Sequence, residues 1–129
     1  MYGFSTQLST TFADARDRVI EALKAEGFGV LTEINVSDTL KEKMGADLRP
    51  YTILGACNPP LAHQAIQADP DIGMLLPCNV IVREEADGTQ TIGFMDPQAV
   101  MALTDNQQLA EVAGEVRTRL DRVRDALAG

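Results

Sequence analysis

The fold is decided by residues 78–95, which read CNVIVREEADGTQTIGFM. Residues 78–85 and 89–95 are rich in β-branched, aliphatic and aromatic side chains, a composition that favours strands. Between them stands Asp87-Gly88, a dipeptide that is a strong signal for a hairpin turn. The sequence therefore predicts two neighbouring strands that pair antiparallel.

Upstream and downstream of this hairpin, the chain alternates between strand and helix patterns. The other predicted strands are residues 2–8, 28–36 and 51–57, and in the second of them Val30 and Ile34 share one face with Thr32. Capping residues and helical spacing predict helices from Thr10 or Thr11 to Gly27, from Ser37 or Asp38 to Met44, over 59–68, and one long helix after Asp96-Pro97.

These elements follow the order β-α-β-(α)-β-(α)-β-β-α without a linker, a repeat or a low-complexity stretch. A length of 129 residues is common for one domain and is long enough to bury a core. We therefore expect a single α+β domain over residues 1–129. The long final helix should present one apolar stripe, formed by Leu109, Val112, Val116, Leu120, Val123 and Leu127.

Charge and hydropathy limit the partners of the chain. The net charge of −8 repels phosphate backbones, so we expect no nucleic-acid binding. We expect no membrane insertion, because no apolar run approaches the ~20 residues that span a bilayer. The first residues lack the basic and apolar regions of a signal peptide, which predicts a cytoplasmic protein with reduced thiols.

The two cysteines mark the candidate site. Both are followed by asparagine and stand near proline, in Cys57-Asn58-Pro59 and in Pro77-Cys78-Asn79. If the strands over 51–57 and 78–85 pair antiparallel, the two thiols meet at one corner of the sheet. A parallel pairing would instead separate them by the length of a strand, roughly 20 Å.

Each residue of this corner has a structural role and a functional role open to it. Cys78 shares strand parity with Val80 and should face the core. Cys57 precedes a helix, whose N-terminal amides can stabilise a thiolate. Asn58 and Asn79 can cap or bond the backbone locally, or they can orient a ligand.

His63 is the only histidine, and it lies one turn into the helix that follows Asn58. It is either an exposed helix residue or a third ligand beside Cys57 and Cys78 in a Zn²⁺ or Cu⁺ site. The chain has no Cys-x-x-Cys pair, so the pattern does not assign a metal or any other cofactor.

The ordered motifs resemble the domain-of-unknown-function family 302. The segments that carry the resemblance are 27–34 (GFGVLTEI), 39–43 (TLKEK), 49–51 (RPY), 53–59 (ILGACNP), 75–80 (LLPCNV) and 95–97 (MDP). The resemblance implies an α+β fold like that of the TATA-binding protein, with an antiparallel sheet, helices packed on one face and frequent dimers. It implies no activity, and the nucleic-acid binding of that architecture does not follow from its fold.

Function is predicted only at the level of classes, and the sequence does not decide whether the protein is an enzyme. We expect a small-ligand or protein-binding module with its site at the corner of Cys57 and Cys78, where Asn58, Pro59, His63, Pro77 and Asn79 contact an unidentified ligand. The alternative is a thiol redox or metal-binding protein that uses the two cysteines and His63. A homodimer is the expected partner, formed through an apolar strip of Leu31, Leu54 and Ile81 on the open sheet face.

Overall fold

The computed structural model describes residues 1–128 and contains one sheet of five antiparallel strands in the order β1-β5-β4-β3-β2. The predicted α+β fold, with its antiparallel sheet and helices on one side, is confirmed. The strands are Gly3–Leu8 (β1), Gly29–Asn35 (β2), Tyr51–Cys57 (β3), Cys78–Glu84 (β4) and Gln90–Met95 (β5).

Five α-helices and one 3₁₀ helix complete the described residues 1–128. The α-helices are Phe12–Ala25 (α1), Val36–Met44 (α2), Pro59–Ala68 (α3), Pro97–Met101 (α4) and Gln107–Ala128 (α5), and the 3₁₀ helix is Pro70–Leu75. Within the described residues, no helix is both long enough and apolar enough to cross a membrane.

The main core lies between the sheet and the two long helices. Leu54, Val80 and Ile92 point from the three central strands and are fully buried. Leu23 of α1 and Leu120 of α5 meet them from the helical side. Burial of one such side chain contributes about 2 kcal/mol, so this layer holds α1 and α5 on one face of the sheet.

The start of α2 differs from the prediction, which placed the cap at Ser37 or Asp38. Asn35 is the cap, and its Oδ1 accepts a hydrogen bond from the Asp38 backbone N–H at 2.9 Å. The Ser37 hydroxyl is used elsewhere, because it accepts from the Tyr51 backbone N–H at 3.2 Å and so ties α2 to β3.

A β-bulge at Leu31 makes the predicted faces of β2 wrong. Val30 lies opposite Ala56, whereas Thr32 lies opposite Gly55, the next residue along β3. Because Leu31 is the extra residue, Val30 keeps to the helical face while Thr32 turns to the open face. A bulge inserts one residue without changing composition, so alternation alone could not reveal it.

The long helix predicted after Asp96-Pro97 is two helices, α4 and α5. Asn106 begins the second, since its Oδ1 accepts from the backbone N–H of Gln108 at 2.9 Å. Its side-chain amide also donates to Ala68 O at 3.0 Å, which fixes the break against the end of α3. The predicted stripe of α5 is confirmed as buried or half-buried.

The open face of the sheet carries a row of three isoleucines. Ile34 lies opposite Ile53, and Ile53 lies opposite Ile81. The predicted strip was wrong at Leu54, which is fully buried on the helical face opposite Val80. Ile53 occupies the place on β3 that was assigned to Leu54, one residue away and therefore on the other face.

Candidate functional site

The two cysteines lie at one corner of the sheet. β3 and β4 pair antiparallel with Ala56 directly opposite Cys78, so Cys57 is one residue past the partner of Cys78. This is the antiparallel alternative of the sequence prediction. Both cysteines are free thiols.

A cavity of about 340 Å³ opens beside this corner, bounded by the ends of β3 and β4, by α3 and by α5. Cys57 and Cys78 are both in its wall. Most of the remaining wall is aliphatic. Its residues are Phe28, Leu31, Thr32, Ala56, Asn58, Leu61, Ala62, Ala65, Ile66, Gly73, Leu76, Pro77, Pro97, Met101, Leu109, Val112, Ala113 and Val116.

Cys78 faces the core together with Val80, as its strand parity predicted. Burial, followed by the nearby charge of Cys57, raises the pKa of the Cys78 thiol from 9.0 to about 11. Since the charged form of a buried thiol loses its hydration, the proton stays on sulfur at neutral pH. Cys78 therefore behaves in the cavity wall as a small apolar side chain.

Asn58 joins the cavity to the start of α3. Its Oδ1 accepts from the Leu61 backbone N–H at 3.3 Å and caps the helix, as predicted, while Pro59 occupies the first helical position. The side chain is buried, with 7% of its surface exposed. Gly27 adopts a φ of +86°, and a Cβ there would lie 2.9 Å from Asn58 Nδ2, so the close approach of this turn requires glycine.

Pro77 reaches the cavity from the segment before β4 and rests against Gly55. A Cβ at Gly55 would lie 2.9 Å from Pro77 Cγ and 2.2 Å from Thr32 Oγ1. The absence of a side chain at Gly55 therefore lets Pro77 and Thr32 meet over β3. Both residues lie in the cavity wall.

Three predicted site residues lie outside the cavity wall. Pro59 and His63 are exposed on α3, and Asn79 is exposed on the open sheet face opposite Gly55. A ligand-contacting role for these three residues stays a prediction.

The metal-binding alternative requires at least three ligand side chains close together. Across residues 1–128, no three or more His, Cys, Asp or Glu side chains are close enough together to hold a metal ion. His63 is thus not assembled with Cys57 and Cys78 into a site of the usual zinc type.

Several wall residues were not predicted as site residues. Leu31 enters the wall at the bulge of β2, and Leu76 enters after the 3₁₀ helix. The apolar segment 72–76 between α3 and β4 was the only available signal, and it is a weak one, because Ile72 is buried whereas Met74 is 80% exposed. Leu109 and Val116 were recognised only as part of the apolar stripe of α5.

The fold and this corner define a class: a small α+β protein with a one-sided antiparallel sheet and a cavity at a strand-to-helix corner. The chain belongs to the family described as domain of unknown function DUF302, whose model matches residues 4–127.

A solved structure supports the same assignment. The crystal structure of uncharacterized conserved protein DUF302 from Bacillus stearothermophilus is similar, with 32% sequence identity, a TM-score of 0.91 and coverage of 98% of each chain. No curated protein matches this chain.

Proposed function

We propose that the protein binds an apolar small molecule in the cavity at the corner of Cys57 and Cys78. The observation that carries the proposal is the cavity itself, which combines a volume of about 340 Å³ with an almost entirely apolar wall. Pockets for small ligands begin at about 300 Å³ and combine apolar walls with a few polar groups. Here the polar groups are Thr32 and Asn58, together with the two thiols.

The edge of the cavity supports ligand entry from solvent. Leu31 is 67% exposed and Ile66 is 46% exposed, yet both also belong to the wall. Large apolar side chains that are half in water and half in a cavity gain from contact with an apolar ligand. Binding would remove that surface from water without a rearrangement of the core.

The test is binding of N-phenyl-1-naphthylamine, an apolar dye that becomes fluorescent out of water. We expect saturable binding by the wild-type protein and its loss in Ala62→Phe, because Ala62 is a half-buried wall residue and a phenyl ring there fills the cavity. The matched control is Ala110→Phe, which puts the same ring on an exposed position of α5 outside the wall.

Dye binding that survives Ala62→Phe unchanged would place the dye elsewhere and overturn the proposal. Protection of Cys57 from alkylation is a second readout, since Cys57 is in the same wall and a bound ligand covers it. Bound dye should slow alkylation of Cys57 in the wild type and in Ala110→Phe, but not in Ala62→Phe.

Thiol redox chemistry is the second candidate, favoured by the presence of two free cysteines in one cavity wall. The two proposals differ in what Cys57→Ser does. An apolar binding module retains dye affinity within about twofold, because Cys57→Ser changes a single atom in the wall of a cavity of about 340 Å³. A redox protein loses all thiol-dependent turnover of a disulfide substrate such as oxidised glutathione.

We also propose a homodimer, formed by two open sheet faces in the cytoplasm. The low cysteine content, two in 129 residues, supports a reducing compartment, because small secreted domains are rich in disulfides. The isoleucine row of β2, β3 and β4 supports self-association, because it lies on the sheet face away from the helices and Ile34 in it is 50% exposed.

A further inference from the structure

The wall of the cavity carries no ionisable side chain other than the two thiols, among the residues that the structure describes. A charged ligand group placed there would lose its hydration without gaining an ion pair, which is strongly unfavourable. Neutral and charged ligands of the same size should therefore bind in this cavity with very different affinities.

Arg119 of α5 approaches the Gly27 turn beside Asn58, where a Cβ at Gly27 would lie 3.2 Å from its Nη1, and it is already engaged. Arg119 Nη1 donates to Glu26 O at 2.9 Å, and its Nε donates to Glu115 Oε1 at 2.9 Å. These two bonds hold the guanidinium beside Glu26 and Glu115, so moving it into the cavity to pair with a carboxylate or phosphate would break them.

The surface beside the cavity adds repulsion for anions. A groove between α3 and α5 shares Leu61 and Val112 with the cavity wall, and Glu111 lies along it beside Glu115, which is paired with Arg119. The whole chain carries a net charge of −8. An anion approaching along this groove therefore meets like charge.

The pKa of the Cys78 thiol reflects the same apolar environment. Its pKa is raised because the thiolate is disfavoured at this position. A protein group that belongs to the wall is thus itself held neutral.

We infer that the cavity selects uncharged ligands, of which it encloses about eleven non-hydrogen atoms, and rejects carboxylates of the same chain length. The size follows from the volume, since 340 Å³ holds roughly eleven groups of the ~30 Å³ that a water-sized group occupies. This inference rests on the proposed function, because it specifies the ligand of the same cavity.

The test is competition at pH 7.5, in which decan-1-ol and decanoate displace N-phenyl-1-naphthylamine from the wild-type protein. We expect decan-1-ol to displace the dye at a concentration at least tenfold lower than decanoate does. Decanoate binding equal to or tighter than that of decan-1-ol would overturn the inference and leave apolar binding intact. Dye that binds but is displaced by neither compound would also overturn it, whereas no dye binding at all would overturn the proposed function itself.

A charge placed at the rim gives a second test in the same displacement assay. Ile66→Lys puts an ammonium group at a wall position that is 46% exposed, where a long side chain reaches water and the fold is kept. We expect decanoate to gain at least tenfold in affinity while decan-1-ol changes little. Ala110→Lys adds the same charge outside the wall and should leave both affinities unchanged, and an equal gain in this control would overturn the inference.

Discussion

Single residues at the corner serve the fold and the cavity at once. Asn58 caps α3 with its side-chain oxygen and also lies in the cavity wall. Cys78 fills a core position on β4 and lies in the same wall. The two Cys-Asn segments are therefore explained in part by packing and capping, and a functional reading of them has to rest on the cavity they border.

The raised pKa of Cys78 makes the stability of the protein depend on alkaline pH. The native thiol keeps its proton up to about pH 11, whereas the unfolded thiol releases it above about 9. Since the unfolded state binds fewer protons in that window, the free energy of unfolding falls as pH rises from 9 to 11. Below pH 9 the Cys78 thiol is protonated in both states, so it does not change the free energy of unfolding with pH.

Cys78→Val removes this group and keeps an apolar side chain of similar size. Between pH 8 and pH 11, we expect the free energy of unfolding to fall by about 2 kcal/mol less in the variant than in the wild type. Urea unfolding at both pH values measures the difference, and other titrating groups cancel because they are common to both proteins. Parallel pH profiles for the two proteins would show that Cys78 is not held in its neutral form.

Asp96 connects three elements around the cavity. Its backbone N–H donates to Tyr2 O at 2.8 Å, its Oδ1 accepts from the Gln98 N–H and caps α4, and its Oδ2 accepts from Arg117 Nη1 at 2.6 Å. Arg117 in turn lies over the Phe4 ring, 4.1 Å from its centroid. The residue thus ties β1, α4 and α5 together beside Pro97, a residue of the cavity wall.

Two substitutions separate the cap of Asp96 from its charge. Asp96→Ala loses both and should destabilise the protein by about 2 kcal/mol, of which the cap contributes about 1 kcal/mol. Asp96→Asn keeps a capping oxygen and should cost less than about 1 kcal/mol. Urea unfolding at pH 7 measures both values.

The matched control is Asp47→Ala, which removes an exposed carboxylate paired with Lys41 at 2.6 Å and should change stability by less than about 0.5 kcal/mol. Equal losses in Asp96→Ala and Asp96→Asn would mean that the cap contributes nothing and that the ion pair alone holds α4.

Elements with local signals were predictable from the sequence, and elements set by distant contacts were not. The hairpin around Asp87-Gly88 and the Asn58-Pro59 start of α3 were predicted because turn and cap chemistry is local. The bulge at Leu31 was missed because its only trace is a shift of register against β3. The break before α5 was missed although Asn106 is a local cap, because the apolar stripe of α5 was extended back to Asp96-Pro97; the contact with Ala68, 38 residues away, then fixes the break in space.

Of the candidate site, the sequence predicted the position of the two cysteines but not the cavity. Cys57 and Cys78 were placed at one corner once antiparallel pairing was assumed, but the cavity beside them needs wall residues from β2, α3, α4 and α5. Nothing in the local sequence of Leu109 distinguishes a cavity wall residue from an ordinary core residue. A cavity is a property of how elements pack, so only the whole molecule contains it.

At the scale of the whole molecule, the sheet is covered on one face only. The row of Ile34, Ile53 and Ile81 ends at Gly93, where a Cβ would lie 2.8 Å from Ile81 Cγ1. Ile81 therefore leans over the glycine and covers β5 at this position. An antiparallel sheet can expose one face to water, but such a face normally carries polar side chains.

Self-association through this face is tested best at Ile53, the centre of the row. If two copies bury it, Ile53→Lys places two ammonium groups in an apolar interface, and the dimer dissociation constant should rise at least tenfold, which corresponds to about 1.4 kcal/mol. Gln7→Lys adds the same charge to the same open face on β1, away from the row, and should change the constant by less than about threefold. Sedimentation equilibrium over a wide concentration range measures both. A monomeric mass for the wild type at the highest concentration would exclude the dimer, and an equal effect of the two substitutions would show that the isoleucine row is not what holds two copies together.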